Sequence, residues 1–144
     1  MYQIYTDGSC LKNPGVGGYG VVITKNGEVE MTLSGHMAET TNNQAEMAAV
    51  IVALSWLTEP TEVEIFTDSQ YVAKGMTEWL QGWKKNGWRT ANRKPVLNKE
   101  EWLELDRLNA KHKVTWTWIA RSSHEFNKLA DSLASGAAHG KKNS

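Results

Sequence analysis

The sequence predicts an α/β fold in which a mixed β-sheet carries helices on its faces. Three strand-like segments joined by short turns come first, and helical and strand-like segments then alternate to the end of the chain. Short turns join antiparallel strands and helical crossovers join parallel ones, so both kinds of pairing are expected. With 144 residues, 40% of them hydrophobic, the chain is long enough for one domain with a real core.

The strand-like segments are rich in β-branched and aromatic residues. The first covers residues 2–6, and the glycine-rich turn NPGVGGYG leads into the second at residues 21–24. Asn26-Gly27 is a hairpin signal, so residues 28–35 should return antiparallel. The same composition predicts the fourth and fifth strands, at residues 62–68 and 114–120.

The helical segments follow from apolar spacing and capping residues. AEMAAVIVALSWL, residues 45–57, contains no glycine or proline and follows TTNN, whose side chains can cap a helix. SQYVAKGM begins a short helix, and residues 79–98 should be helical at first and then a loop. Further helices are predicted over residues 99–111 and 128–138.

Charge is unevenly distributed along the chain, although the formal net charge is zero. Residues 26–73 contain eight acids and no lysine or arginine, whereas residues 79–99 contain six bases and no acid. This separation indicates an acidic site beside a basic docking surface. No apolar run approaches the roughly 20 residues of a membrane span, and the single cysteine, Cys10, excludes an internal disulfide. We therefore expect a soluble, cytoplasmic protein that is not membrane-bound.

Four acidic residues are candidate metal ligands. Asp7 and Asp68 are expected to end two strands, in the similar contexts IYTDGS and IFTDSQ, at the sheet edge where α/β proteins build sites. Glu46 and Asp131 are expected near the starts of two helices. Each also has an ordinary explanation, a turn for the aspartates at strand ends and a favourable helix dipole for the other two.

Considered together, the four acids favour a metal site. Carboxylates that converge without matching cations must either shift their pKa values or bind a metal ion. Oxygen ligands in this number suit magnesium or manganese, and the sequence has no Cys/His cluster of the kind that binds zinc.

Several motifs resemble those of the bacterial-type ribonuclease H of the first class, or type 1. They occur in order over nearly the whole chain: TDGSCLKNPGVGGYG, TTNNQAEM, TDSQYV, WLQGWKKNGWRTANRKPVLN and NKLADSLA. The resemblance implies the ribonuclease H fold, a five-stranded mixed sheet in the order 3-2-1-4-5 with helices on both faces. It also implies one catalytic domain over residues 1–138, followed by a flexible tail over residues 139–144.

The resemblance further implies an endoribonuclease that hydrolyses the RNA strand of RNA–DNA hybrids and leaves 5′-phosphate and 3′-hydroxyl ends. Two Mg²⁺ ions are implied per active site, with Mn²⁺ as a substitute. Asp7 would bridge the ions, Glu46 and Asp68 would hold one, and Asp131 would complete the other. The implied partner is the hybrid duplex, bound by a monomer that needs no protein partner.

The resemblance assigns substrate contacts to several polar residues. Amides that both donate and accept can read the 2′-hydroxyls of an A-like duplex, and the matching positions are Asn13, Asn42, Asn43 and Gln70. Thr41 and Asn98 match the family's pocket for a phosphate of the DNA strand. Turn and capping roles remain open as alternatives for Asn13 and Asn43.

The basic segment resembles the family's protrusion that grips the hybrid. Its implied contacts interleave tryptophans with cations: Trp79, Lys84, Lys85, Trp88 and Arg89. Trp83 is expected to be core, because tryptophans at helical spacing are usually buried. Cations without acids nearby repel one another, and a phosphate backbone relieves that repulsion.

The loop before the last helix departs from the family pattern. Relatives carry a Gly-His pair on a longer loop, and here that place falls near Arg121 and Ser122. His124 is therefore our candidate for the loop histidine, with an exposed or capping histidine as the alternative. Rival functions are a hybrid-binding module without activity, and a DNA nuclease or transposase core of the same fold.

Overall fold

Five strands form a single mixed sheet in the computed structural model, which describes residues 1–90 and 92–140. Their order across the sheet is β3-β2-β1-β4-β5. The first three pair antiparallel, whereas β1 with β4 and β4 with β5 pair parallel. The expected order is thus confirmed. The strands are β1 (Tyr2–Cys10), β2 (Gly15–Lys25), β3 (Glu28–Thr40), β4 (Glu62–Thr67) and β5 (Lys113–Trp118).

Five α-helices accompany the sheet in the described residues. They are α1 (Asn42–Trp56), α2 (Gln70–Lys74), α3 (Leu80–Lys85), α4 (Lys99–Lys111) and α5 (Glu125–Ala138). A π-helical segment, Gly75–Trp79, joins α2 to α3. None of these helices combines the length and the apolar composition that a membrane span requires.

Helices cover both faces of the sheet, as predicted. On one face, Ile4 and the alternate strand residues in register with it join the apolar side chains of α1 and α4 in the main core. On the other face, Tyr5 and Val22 pack with Ala130 of α5. Successive residues of β1 therefore face different helices, as the two-residue period of a strand requires.

The element boundaries differ from the predicted ones in ways that affect the acidic residues. β1 does not end at Asp7: it continues to Cys10 along β2, while its parallel pairing with β4 stops at Thr6. The helix α5 begins at Glu125 instead of residue 128, so Asp131 lies beyond its first turn. Glu46 also lies beyond the first turn of α1, which contains no acid. The helix-dipole explanation therefore fails for both residues.

The end of the chain is described as far as Gly140. The backbone N–H groups of His139 and Gly140 donate to carbonyls of α5 and so close that helix. The rest of the predicted flexible tail, residues 141–144, lies outside the described residues.

Gly8 allows α1 to approach β1 closely enough to bring Glu46 to Asp7. A Cβ atom added at Gly8 would lie 2.4 Å from the backbone of Ala45 and Glu46. Backbone atoms of a packed helix cannot move aside as a flexible side chain can. The glycine therefore fixes the distance between the strand and the helix that carry two of the acids.

We expect Gly8→Ala to destabilise the protein by about 1–3 kcal/mol, because α1 must move away from β1. Denaturant unfolding in a chelator measures the effect without any contribution from metal. Gly136→Ala is the matched control, since a Cβ at that helical position has open space and should be neutral or slightly stabilising. Equal stability of the Gly8 variant and the parent would contradict this account of the packing.

Candidate active site

Three carboxylates from three different elements meet at one edge of the sheet. Asp7 lies on β1 just past its last pair with β4, Asp68 directly follows β4, and Glu46 projects from α1. One oxygen atom from each lies within 4.8 Å of the others. The parallel pairing of β1 with β4 explains why Asp7 and Asp68 lie next to each other, because the residues that precede them, Thr6 and Thr67, are in register.

The cluster lies in an open cavity of about 480 Å³, which Asp131 and Arg121 also line. Asp7 is almost fully buried, with 3% of its surface exposed. Its Oδ1 atom accepts a hydrogen bond from the Gly8 N–H at 2.9 Å, but its Oδ2 atom has no hydrogen-bond partner among the described residues. The same holds for the buried Oε2 atom of Glu46 within residues 1–90 and 92–140. Two buried carboxylate oxygens thus lack the hydrogen-bond partner that normally offsets the cost of burying a polar atom.

The pKa values of the cluster reflect this lack of compensation. Burial is the main cause that raises the pKa of Asp7 from 3.8 to about 7, and the charges of Asp68 and Asp131 add to it. Burial and the charge of Asp7 raise the pKa of Glu46 well above 4.5. Burial also raises the pKa of Asp68, although a hydrogen bond from Asn127 opposes the shift. Without a cation, the cluster therefore retains protons near neutral pH.

This donor set fits a hard divalent cation. Carboxylate oxygens are the preferred ligands of magnesium and manganese, and the two oxygens without partners are free to coordinate. A bound cation would favour the charged forms of all three acids and displace their protons.

Asp131 lines the same cavity but is held differently from the other acids. Its oxygens are not among those that approach within 4.8 Å of one another. Its Oδ1 atom lies 3.9 Å from a guanidinium nitrogen of Arg121, and the charge of Arg121 also lowers the pKa of Asp68. We predicted four carboxylates converging without cations. The structure differs, because Arg121 provides one positive charge at the cavity.

The comparisons with known proteins agree with this geometry. The RNase H family model matches residues 1–139. The chain is 50% identical over 137 residues to ribonuclease HI of Vibrio parahaemolyticus, covering 94% of this chain and 88% of the relative. It is 51% identical over 144 residues to ribonuclease H of Mesorhizobium japonicum, covering 99% and 81%.

The chain belongs to the ribonuclease H family. Among solved structures, it is similar to LC11-RNase H1, whose crystal structure is in complex with an RNA/DNA hybrid. The TM-score is 0.77 at 30% identity, with 97% of this chain and 98% of the other covered. The predicted family and fold are therefore confirmed, and the ribonuclease H chain spans most of the length of these relatives.

A second cavity, of about 370 Å³, brings together most of the predicted polar substrate contacts. Its lining includes Asn13, Thr41, Asn42, Asn43 and Asn98. Asn13 also has a structural role, because it accepts a hydrogen bond from the Asn42 N–H. The cap of α1 is Thr41, which accepts from the Gln44 N–H, whereas Asn43 lies within the helix and does not cap it. Asn42 and Asn43 line the carboxylate cavity as well, so the two cavities are contiguous. Gln70 lines the carboxylate cavity but not this second cavity.

The tryptophans of the basic segment form a chain of ring contacts that leads from the core to the surface. Trp79 contacts Tyr71 and Trp83, and Trp83 in turn contacts Trp88 and Trp102. Trp83 is only partly buried, but it packs against the main core, which agrees with its predicted core role.

The cations of the basic segment are not all free of partners. Lys84 pairs with Asp106 of α4 at 3.3 Å, an acid that lies outside the segment in sequence. Arg89 donates to the backbone carbonyl of Arg93, and Lys85 has no ion pair among the described residues. The mutual repulsion expected from sequence is therefore reduced at Lys84. The substrate contacts of Lys84, Lys85 and Arg89 remain predictions.

His124 has a structural role that explains its position. It is the N-cap residue of α5, where its Nδ1 atom accepts from the Phe126 N–H, and its ring stacks on Tyr5 with centroids 5.0 Å apart. It is not among the residues that line the carboxylate cavity. The predicted catalytic role of His124 gains no support from the geometry, and Arg121 lies where the loop histidine was expected.

Two residues near the acids were missed as site residues in the sequence. The sequence identifies Arg121 only as part of the loop that departs from the family pattern. The position of Arg121 beside the acids depends on how that loop folds. Asn127 is 1% exposed and hydrogen-bonds to Asp68. The sequence does contain one indication of this role. Asn127 is four positions before Asp131, and the two residues lie on the same side of α5.

We expect the metal-free protein to lose stability as the pH rises from about 4 to about 7. The folded cluster retains protons that the unfolded chain releases, because the pKa of Asp7 is raised to about 7. The resulting destabilisation is absent below pH 3.8 and fully developed above about pH 7. Asp7→Asn should therefore flatten the profile and add up to about 4 kcal/mol at pH 7.5, which is about 1.4 kcal/mol for each unit of the Asp7 shift. Urea unfolding in a chelator measures both.

Comparison of the variant with the parent isolates the cluster from other titrating groups. Burial lowers the pKa of His112, which contributes a dependence of the opposite sign that is common to both proteins. Adding Mg²⁺ should stabilise the parent at pH 7.5 but not at pH 5, where protons occupy the ligands. If the stability of the parent and that of Asp7→Asn changed with pH in the same way, protonation of the cluster would not be the cause, and this explanation would be wrong.

Proposed function

We propose that this protein is an endonuclease that cuts the RNA strand of RNA–DNA hybrids with two Mg²⁺ ions, leaving 5′-phosphate and 3′-hydroxyl ends. The observation that carries the proposal is the cluster of Asp7, Glu46 and Asp68, with two buried oxygens that lack partners. Such a cluster is costly to the fold and is explained by the need to hold cations at a phosphodiester. Mn²⁺ is expected to substitute for Mg²⁺.

The four acids would hold the ions in different ways, according to their positions in the cavity. Glu46, Asp68 and Asp131 all influence the pKa of Asp7, so Asp7 would contribute to holding both ions. Glu46 and Asp68 would hold one ion and Asp131 the other. When bound, the ions supply Lewis-acid activation of water and stabilisation of the departing 3′ oxygen. Asn127 would favour the ionised form of Asp68, because its hydrogen bond lowers the pKa of that carboxyl and opposes the effect of burial.

The polar residues around the acids are suited to select a hybrid. Asn42, Asn43 and Gln70 line the carboxylate cavity and can exchange hydrogen bonds with 2′-hydroxyls. Thr41 and Asn98 line the adjoining cavity, where a phosphate of the DNA strand would fit. An RNA strand at the acids and a DNA strand beside them would satisfy both sets of contacts.

We also propose that residues 1–138 form one catalytic domain that acts as a monomer in the cytoplasm. Supporting observations are the continuous five-stranded sheet, and a single cysteine that carries no structural disulfide.

Asp7→Asn is expected to lower hybrid cleavage by at least about a hundredfold while hybrid binding is retained. The measurement is cleavage of a labelled hybrid in Mg²⁺, in Mn²⁺ and in chelator, with binding measured on the same substrate. RNA duplex, DNA duplex and single-stranded RNA of the same sequence are controls for selectivity. Retained binding with no cleavage by the parent would instead favour a binding module, and cleavage of the DNA duplex would favour a DNA nuclease.

The basic segment should affect binding more than the chemical step. We expect Lys85→Ala with Arg89→Ala to raise KM several-fold, with kcat little changed. The slope of log KM against log salt concentration should fall by the amount that corresponds to about two phosphate contacts. Adding Lys84→Ala should have a smaller further effect, because Asp106 already pairs with Lys84. Steady-state kinetics from low to moderate salt test this, and an unchanged salt slope would refute it.

A further inference from the structure

The loop between β5 and α5 is held in place on both sides of Arg121. Before it, the Ile119 N–H donates to the Thr67 carbonyl at 2.9 Å, directly before Asp68, and so extends the pairing of β5 with β4. After it, His124 caps α5, and its ring stacks on a tyrosine of β1. The backbone that carries Arg121 is therefore anchored to both strands that carry the clustered aspartates.

The guanidinium group of Arg121 is the one positively charged group of the described residues that lines the carboxylate cavity. Its side chain is 78% exposed, and its distance of 3.9 Å from Asp131 Oδ1 is too long for a hydrogen bond. Within residues 1–90 and 92–140, the arginine side chains that form hydrogen bonds are those of Arg89 and Arg107. The five N–H donors of the Arg121 guanidinium group can therefore bind an anion in the cavity.

The charges of the loaded site balance only when Arg121 is included. Four acids line the cavity and carry four negative charges when ionised: Asp7, Glu46, Asp68 and Asp131. Two divalent cations offset these four charges and leave the single negative charge of a phosphodiester without a partner. Arg121 supplies the one positive charge that offsets it. This charge becomes more important during the reaction, because attack by deprotonated water gives the phosphoryl group a second negative charge.

We propose that Arg121 is a catalytic residue that donates hydrogen bonds to a non-bridging oxygen of the scissile phosphate. The proposal rests on the two-ion cleavage of hybrids proposed above. Arg121 lies where the loop histidine was expected, but an arginine stays protonated throughout the pH range in which proteins are folded. Arg121 therefore acts on the phosphate by its charge and its hydrogen bonds, and not by the proton transfer that a histidine could perform.

The charge of Arg121 has opposite effects on metal binding and on catalysis. A cation 3.9 Å from Asp131 repels an ion that this acid would help to hold, so Arg121 weakens metal binding in the absence of substrate. When the hybrid is bound, the scissile phosphate offsets the charge of Arg121, and the same group stabilises the transition state. A residue that served only to keep the loop folded would change metal binding and catalysis in the same direction.

Single-turnover cleavage of a labelled hybrid in saturating Mg²⁺ tests the catalytic role. Arg121→Ala should lower the rate at least about tenfold. Arg121→Gln keeps N–H donors without the charge and should be nearly as slow, whereas Arg121→Lys restores the charge and should recover most of the rate. Arg107→Ala removes the same charge from an exposed arginine of α4 that pairs with Glu104, and this matched control should cleave like the parent. Equal rates for Arg121→Ala and the parent would overturn the proposal.

Calorimetric titration with Mg²⁺ and with Mn²⁺, in the absence of substrate, separates this role from support of the loop. Arg121→Ala should bind these ions about three- to tenfold more tightly than the parent, and Arg107→Ala should bind them as the parent does. Equal or weaker metal binding by Arg121→Ala would overturn the proposal, and a lower melting temperature with it would identify a structural role. Either result leaves hybrid cleavage by the parent intact, whereas a parent that does not cleave the hybrid would refute the proposed function itself.

Discussion

Repulsion among Asp7, Glu46 and Asp68 is the constraint on which the rest of the site depends. Two unit charges 4.8 Å apart repel by about 3 kcal/mol at an effective dielectric constant of about 20, and burial adds a desolvation cost. The described residues supply no buried cation to offset these costs, so burial first and repulsion second raise the pKa values of Asp7 and Glu46. The scaffold must therefore hold the acids together against a force that would separate them.

Rigid backbone contacts provide that hold. Parallel pairing of β1 and β4 fixes Asp7 relative to Asp68, and Gly8 allows α1 to lie against the strand so that Glu46 reaches both. Asp131 is carried by α5 on the opposite face of the sheet, where Gly18 and Gly20 permit a similarly close approach of the helix. Close packing of helix backbones against both faces of the sheet therefore holds the mutually repelling carboxylates in place.

Most of the strands and helices could be predicted from sequence, because strand period, hairpin signals and helical runs are local patterns, whereas the strand order and the catalytic assignment of the acids came from the resemblance to the family. The end of β1 could not: Asp-Gly is read as a turn, but here the pair continues antiparallel to β2, which depends on a partner far along the chain. Likewise, the acid that pairs with Lys84 lies on α4, and the cap that uses His124 forms only because α5 starts earlier than its apolar pattern indicates. Tertiary contacts decide such features.

Arg121 and Trp118 illustrate why the surroundings of the acids were harder to predict than the acids themselves. An arginine in a loop and a tryptophan in a strand have common structural explanations, and their meaning depends on what lies next to them in space. Arg121 places a positive charge 3.9 Å from Asp131 on an exposed side chain, and this charge offsets part of the repulsion there. Trp118 connects Asp68 to an exposed aromatic surface through one hydrogen bond. Since that bond is to the backbone, it constrains Asp68 without competing for the carboxylate that a cation requires.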